Sequence, residues 1–571
     1  MKRRVEFGRP TIPQGLEVRR NLAPSVLRAL LWFDGPLAAL AVSSVVALGV
    51  AWDRRSAQMA VLWLWAFIAI YVLLSRLCCR RRVWRVAAGL CIAAGGSIAL
   101  YVVLQFSYLG YDVKVPALSR IGQAVGSILP RFGHWAPMSN SVATLLEGLV
   151  PLAAALALRR TEIGWRLAAG ASGMVMLFAI ALVASRGAWV ALCAGTVAWA
   201  LASAGDTRSG YAGKAGAFAC AVVTMLVVAV AAHAVGPSGA GYQLGGIFDR
   251  PDRLNVYRNS LVLIQGFPFT GIGPGDQFAM ALSRYALLIQ VPFLTYAHNL
   301  YLSVWLEYGL AGILSWTALV ASVLAAIVAG ERAELGTRFR GVWVGALVVL
   351  VHGLMDARQS VDRWTMAPLF ILLGLLAARL KRGRLPATAG VAAAPVVAVT
   401  AFLALASPYL RPFEATWQTN QGMLAEARAE LGGLAPADRT QALTQAQWYF
   451  ERAVRLNPQQ PTARRRLGIL AIDARRFDEA RDHLEVAWQA DPGNPATRKA
   501  LGLAYAWTGQ LESAKELLAP IDAIVSELDV WSQYWEQQRQ PSQAIYAARL
   551  SLTLLPDRLE ASRRLTQLEG R

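Results

Sequence analysis

The chain is organised around repeated apolar stretches, each long enough to cross a bilayer. A spanning helix needs about 20 mainly apolar residues, because in hydrocarbon every backbone N–H and C=O must be satisfied within the protein. Stretches of that kind lie at 35–51, 59–75, 86–106, 139–158, 167–184, 188–204, 215–235, 298–329, 341–355, 365–380 and 388–407. About eleven spans predict an all-α, polytopic helical membrane domain over residues 1–407. With 56% hydrophobic and 16% charged residues among 571, the composition excludes an ordinary soluble enzyme. The first stretch has no small-residue cleavage site and is followed at once by a second, so it reads as a span and not as a removed signal peptide.

The formal charge of +20 suggests nucleic-acid binding only until it is located. From Arg411 onward 20 Lys+Arg face 20 Asp+Glu, so the whole excess lies in the apolar part. Basic residues between spans are topology signals, and no nucleic-acid partner is expected. Arg76, Arg80, Arg81, Arg82 and Arg85 share one connection, Arg159, Arg160 and Arg166 another, and Lys381, Arg382 and Arg384 a third. With the N-terminal Lys2, Arg3 and Arg4 they fall on one side if the spans alternate, which makes that side cytoplasmic. An odd number of spans then puts the C-terminal region outside, together with the loops 107–138, 237–297 and 356–364. The expected location is the bacterial inner membrane, with an extracytoplasmic tail. Cys78, Cys79, Cys91, Cys193 and Cys220 all fall in spans or a cytoplasmic loop, so no disulfide framework is expected in the exported parts. No cluster has zinc-ligand spacing, and neither a metal nor another cofactor is expected.

Beyond about residue 427 the chain repeats itself. Leu467-Gly468 recurs as Leu501-Gly502, Ala480 as Ala514 and Pro458 as Pro492, each displaced by 34 residues. That period resembles the tetratricopeptide repeat, in which small residues let paired helices approach and proline ends the second helix. A preceding unit is partly in phase through Ala446, Phe450 and Ala453, with Leu434 where glycine is expected; a following unit ending near Pro556 is about four residues short. Residues 408–571 are thus expected to form a small α-solenoid whose concave face binds an envelope partner and does no chemistry.

Chemistry is expected at the outer face of the membrane domain. His298-Asn299 lies at the mouth of a span, just after the longest polar loop, where an imidazole meets both water and bilayer. Arg186, in Ser185-Arg186-Gly187-Ala188-Trp189, lies between two spans at that face, and Arg250, Arg253 and Arg258 cluster in the loop. A guanidinium is always charged and offers a planar fork of donors, which suits a diphosphate; the bland alternatives are a snorkelling Arg186 and a solvated loop face. The glycines of Phe267-Pro268-Phe269-Thr270-Gly271-Ile272-Gly273-Pro274-Gly275 read as a turn-rich membrane-surface connection rather than a phosphate cradle. Glu307, nine residues into the span after His298, projects from roughly the opposite face and reads as a partner inside the bundle. His134, His233, His352 and His483 read as structural.

Three features occur in order: Arg186 in its Ser-Arg-Gly-Ala-Trp setting, the Arg253-to-Gly275 segment, and His298-Asn299 followed nine residues later by Gly309-Leu310-Ala311-Gly312. Together they resemble the O-antigen ligase/polymerase superfamily over roughly residues 140–330. The resemblance implies a membrane glycosyltransferase. It would move a glycan from an undecaprenyl-diphosphate carrier to an acceptor hydroxyl on lipid A-core, a growing polysaccharide or a protein. His298 would be the catalytic base, Arg186, Arg253 and Arg258 the diphosphate ligands, and Asn299 and Arg250 their supports, with membrane lipids around them and no metal. Ile313 and Leu314 stand where the ligase pattern has small hydroxylated residues, so ligase, polymerase and protein O-oligosaccharyltransferase stay open. A flippase for the same lipid-linked glycans is the competing class, although the two related halves common in transporters are not evident. A scaffold would not need eleven spans.

Overall fold

The computed structural model describes residues 33–111, 115–158, 162–204, 251–289, 291–292, 294–332, 336–382, 389–521 and 523–570. The expected span at 215–235, together with Arg250, His233 and Cys220, lies outside the described residues. Among those described, the regular structure is helical. The membrane part comprises α1 (Phe33–Val50), α2 (Arg54–Leu77), α3 (Arg81–Leu104), α4 (Pro116–Gly126), α5 (Ser139–Glu147), α6 (Leu149–Ala157), α7 (Ile163–Val183), α8 (Arg186–Ala204), α9 (Pro251–Gly266), α10 (Gln277–Leu282), α11 (Leu300–Arg332), α12 (Thr337–His352), α13 (Arg358–Val361), α14 (Ala367–Arg382) and α15 (Ala389–Leu410).

Seven stretches among the described residues are long and apolar enough to cross a membrane: α1, α2, α3, α5 with α6, α7, α11, and the run Arg363–Lys381 that ends in α14. An eighth is added if α15 and the helix after it, bent by 71°, form one broken span. The expected spans at 188–204 and 341–355 correspond to α8 and to the 16-residue α12.

The centre of the bundle is the crossing of α5–α6 with α12. The Ser139–Ala157 window is 78% buried, against 33–39% for the windows in α2, α3 and α7. Exposed Leu62, Trp63, Leu73, Leu90 and Met174 give those outer helices an apolar face suited to lipid. Small residues set the central crossing, since a Cβ on Gly345 would run into the Gly148 carbonyl.

The helix ends sort into two faces. At one, the arginine-rich α2–α3 turn lies near the start of α12 and the end of α14, with the Arg338 and Arg379 guanidinium groups over the Trp84 ring at 5.7 and 6.0 Å. At the other, the starts of α5, α8 and α11 meet the end of α12 and the turn after it, and the start of α2 meets the segment Gly275–Gln277. There the Ser56 hydroxyl accepts the Asp276 N–H at 2.7 Å, and the Gly353 carbonyl accepts the Leu300 N–H, also at 2.7 Å.

After α15 the chain continues as helical hairpins: α16 (Phe413–Leu431) with α17 (Pro436–Leu456), α18 (Pro461–Asp473) with α19 (Phe477–Ala490), α20 (Pro495–Trp507) with α21 (Leu511–Leu518), α22 (Ile524–Gln537) with α23 (Pro541–Leu554), and a final α24 (Leu559–Glu569). The 34-residue period has a steric basis. A Cβ on Gly468 would strike Leu484 and one on Gly502 would strike Leu518, so each glycine admits a leucine displaced by the same 34 residues. In the first hairpin only the second helix keeps the phase. Gly422, not position 434, lies against the ring of Phe450, because α16 and α17 are longer than their successors. Leu434 sits in the turn between them, which is why glycine is not needed there.

This solenoid packs against the membrane part at the same face as the start of α11. Its first helices, α16, α18 and α20, meet the segment from the end of α9 to Leu288.

Candidate active site

Asn299 caps α11: its side-chain oxygen accepts the backbone N–H groups of Tyr301 and Leu302 at 3.0 and 3.1 Å, while its amide donates to the Leu354 carbonyl at 3.0 Å. The residue before the cap, His298, has φ +53°. That left-handed conformation costs a non-glycine residue about 1–2 kcal/mol, so the surroundings must impose it. They do so through the Tyr257 hydroxyl, which donates to the His298 carbonyl at 3.1 Å, and through the Leu300–Gly353 hydrogen bond. The ring is thereby aimed at Asp356, with Nδ1 3.7 Å from Oδ1, and lies 4.1 Å centroid to centroid from the Tyr296 ring. Nδ1 is sealed from solvent, so the 24% exposure of the side chain lies on its other atoms.

Asp356 lies in the turn between α12 and α13 and is 3% exposed. Its Oδ2 accepts the Asn140 amide at 2.6 Å and its Oδ1 the Ala357 N–H at 2.8 Å. Burial alone would raise this carboxyl; the approach of the His298 ring and the charges of His352, His298 and Arg253 outweigh it and bring the carboxyl down to about 2. Arg253, on α9, donates to the Met355 carbonyl at 2.9 Å, which ties that helix to the same turn. Arg358 donates to the Ser141 hydroxyl at 3.1 Å and to Asp362 at 2.6 Å, with its guanidinium over the Tyr296 ring at 5.4 Å. Burial, reinforced by the Asp356 charge, pushes the Tyr296 phenol up to about 12, so it stays protonated at neutral pH.

Beneath this turn the bundle carries a buried imidazole–carboxyl pair. His352 Nδ1 lies 2.8 Å from Glu147, with side-chain exposures of 2% and 0%. Gly187 rests against the His352 ring where no Cβ would fit, and this brings Arg186, the exposed first residue of α8, to the same face.

His298, Asn299 and Arg253 therefore meet in one cluster, and Arg186 lies at the same face, next to the Gly187 that packs on His352. Arg258 does not join them: five residues beyond Arg253 on α9, it points about 140° away and is exposed. Arg250 is outside the described residues. Glu307 faces Arg363 at 3.4 Å, inside the bundle. Of the histidines read as structural, His352 is buried against Glu147 and the half-buried His483 faces Arg464 at 3.1 Å.

Asp356, Arg358, Tyr257, Tyr296 and the Glu147–His352 pair were not foreseen. The available signal was four charges, Asp356, Arg358, Asp362 and Arg363, within eight residues of a short connection between two apolar stretches.

A cavity of about 160 Å³ opens next to the cluster, lined among others by Ile272, Asp276, Tyr296, Ala297, Glu307 and Ser360. Its glycine-rich wall is held by close backbone contact. The Ile272 N–H donates to the Leu306 carbonyl at 2.7 Å and the Leu310 N–H to the Phe269 carbonyl at 3.1 Å. This is possible only because α11 breaks at Gly309 (φ +66°), where a Cβ would collide with the Phe269 carbonyl. The two glycine motifs of the sequence are the two sides of this one contact.

Such a site offers a fixed imidazole backed by a carboxylate, arginines around it and a small pocket alongside. Residues 171–317 match the family model described as O-antigen ligase. This stretch of the membrane domain is similar to the O-antigen ligase family. It takes in Arg186, Arg253, His298 and Gly309, but not Asn140, Glu147 or Asp356, so part of the setting of His298 comes from outside it. Residues 471–532 match the tetratricopeptide repeat, in agreement with the helical hairpins. No curated protein matches the chain. The similarity supports, at the family level, glycosyl transfer of the O-antigen ligase/polymerase type.

Proposed function

We propose that this protein transfers a glycan from a polyprenyl-diphosphate carrier, of the undecaprenyl kind, to an acceptor hydroxyl at the outer face of the bacterial inner membrane. The observation that carries the reading is the His298–Asp356 pair, imposed by a left-handed backbone at the face where Arg186 and Arg253 also lie. With Nδ1 directed at Asp356, Nε2 is the nitrogen left to take a proton. The acceptor oxygen attacks the anomeric carbon, its proton passes to His298, and the bond from that carbon to the diphosphate oxygen breaks with its electron pair leaving on the diphosphate. Direct displacement inverts the anomeric centre. Arg186 and Arg253 neutralise the charge that grows on the leaving group, and Asp356 orients the imidazole and stabilises it when protonated. Arg258, exposed on another flank of α9, is a contact for the donor as it approaches. In this reading guanidinium groups meet the diphosphate and no metal is required.

The arginine-rich end of the bundle supports an outward-facing site, because it lies opposite His298 and positive charge favours the cytoplasm. The solenoid, packed at the His298 face, is then extracytoplasmic as well. The acceptor is a lipid A-core or a growing polysaccharide, with a protein hydroxyl as the alternative within the same chemistry.

The test is transfer by purified protein in lipid from a labelled polyprenyl-diphosphate glycan, with and without chelator. Transfer that persists with chelator and yields the inverted anomer supports the reading. Retention of configuration, or loss of transfer with chelator, overturns the mechanism.

A further inference from the structure

The inner face of the solenoid is occupied by the chain's own membrane domain. Arg284 makes two hydrogen bonds of 2.8 Å to Glu430 of α16, and the buried Tyr285 donates to the same carboxylate at 3.1 Å. The guanidinium of Arg466, on α18, lies 5.0 Å over the Tyr285 ring. Lys499, on α20, donates to the carbonyls of Leu287 and Leu288 at 3.1 Å each, closing the π-helical turn Ser283–Leu287 where Leu288 takes φ +53°. On the other arm, Asn420 of α16 accepts the Phe269 N–H at 3.2 Å and donates to the Thr270 hydroxyl at 3.0 Å.

With the segment in place Glu430 and Lys499 are 8% and 7% exposed; its withdrawal would strip Glu430 of Arg284 and Lys499 of its two carbonyls, with Glu527 at 2.7 Å remaining as the partner of Lys499. Charge-assisted contacts from α16, α18 and α20 converge on this one segment, so the groove is complementary to this occupant. Both held arms lead to the site: Thr270 runs into the cavity wall at Ile272, and Leu288 precedes the stretch that ends at Tyr296 and His298.

We propose that segment 265–288 is the resident ligand of the solenoid groove, and that the tail is an intramolecular clamp that sets the cavity wall and the approach to His298. Its importance for transfer rests on the function proposed above; the clamp itself does not.

Hydrogen exchange of the full chain in lipid tests it, comparing wild type with Lys499→Ala in the tail and Arg284→Lys in the membrane domain. Loss of a charged hydrogen bond should speed exchange in 283–289 about tenfold or more in both variants. The acceleration should spread to 294–301, which neither residue touches, while α23 and α24, which neither residue contacts, keep their protection. Unchanged exchange over 283–301 in Arg284→Lys, whose tail sequence is intact, overturns the clamp, as does acceleration confined to 283–289. If exchange behaves as expected but transfer activity is absent from every form of the protein, the functional reading fails and the clamp stands.

Discussion

His298 Nδ1 stands 3.7 Å from Asp356 Oδ1, although the two are 58 positions apart in the chain, with the whole of α11 and α12 between them. The distance is longer than a hydrogen bond and within ion-pair reach, so a small shift of the ring would close it. Asp356→Asn keeps the shape but removes the charge behind the imidazole. Transfer should fall about 10–100-fold, with membrane insertion unchanged. Wild-type turnover in this variant would show that Asp356 does not orient the base.

The same carboxylate predicts an acid limit. Its folded value, about 2, lies below the ordinary 3.8, so the stabilisation is fully present above pH 4 and is lost as pH falls toward 2. The contribution at neutral pH is roughly 2 kcal/mol. Thermal unfolding in detergent should therefore lose less stability between pH 5 and pH 2.5 in Asp356→Asn than in wild type. Parallel losses would place the acid sensitivity elsewhere.

Arg253 is asked both to tie α9 to the Met355 carbonyl and to meet the diphosphate. Arg253→Ala should weaken donor use by about 1.5–3 kcal/mol, seen as a drop in kcat/KM for the donor, with Arg253→Lys recovering only part because the planar fork is lost. Arg186→Ala should do the same, whereas Arg258→Ala should cost less than about 1 kcal/mol, as an exposed charge does. Equal losses for Arg253 and Arg258 would contradict the geometry.

Topology is tested by alkaline phosphatase fusions after Arg384 and after Arg411. Activity is expected at the second site alone, because in the proposed topology the basic connection at Arg384 is cytoplasmic and the solenoid lies on the His298 side. An inactive second fusion would put the tail and the active site in the cytoplasm.

The membrane character and the 34-residue repeat were legible in the sequence because each rests on local pattern, apolar run length and fixed period; Asn299 stood out only as a neighbour of His298, and its capping of α11 emerges from the fold. Asp356, Glu147 and the groove occupant were not legible, because each joins residues brought together only by tertiary packing. Nothing within a few residues of Glu147 announces His352, 205 positions away. The glycine motifs were visible, but their purpose was hidden, since Gly271 and Gly309 explain each other only when the loop meets the kinked helix.

The central claim is that His298 takes the acceptor's proton. Purified His298→Ala in lipid, given a labelled polyprenyl-diphosphate glycan and acceptor, should bind donor as wild type does and lose transfer by about 10²–10⁴-fold. Near-wild-type turnover by this variant would contradict the account.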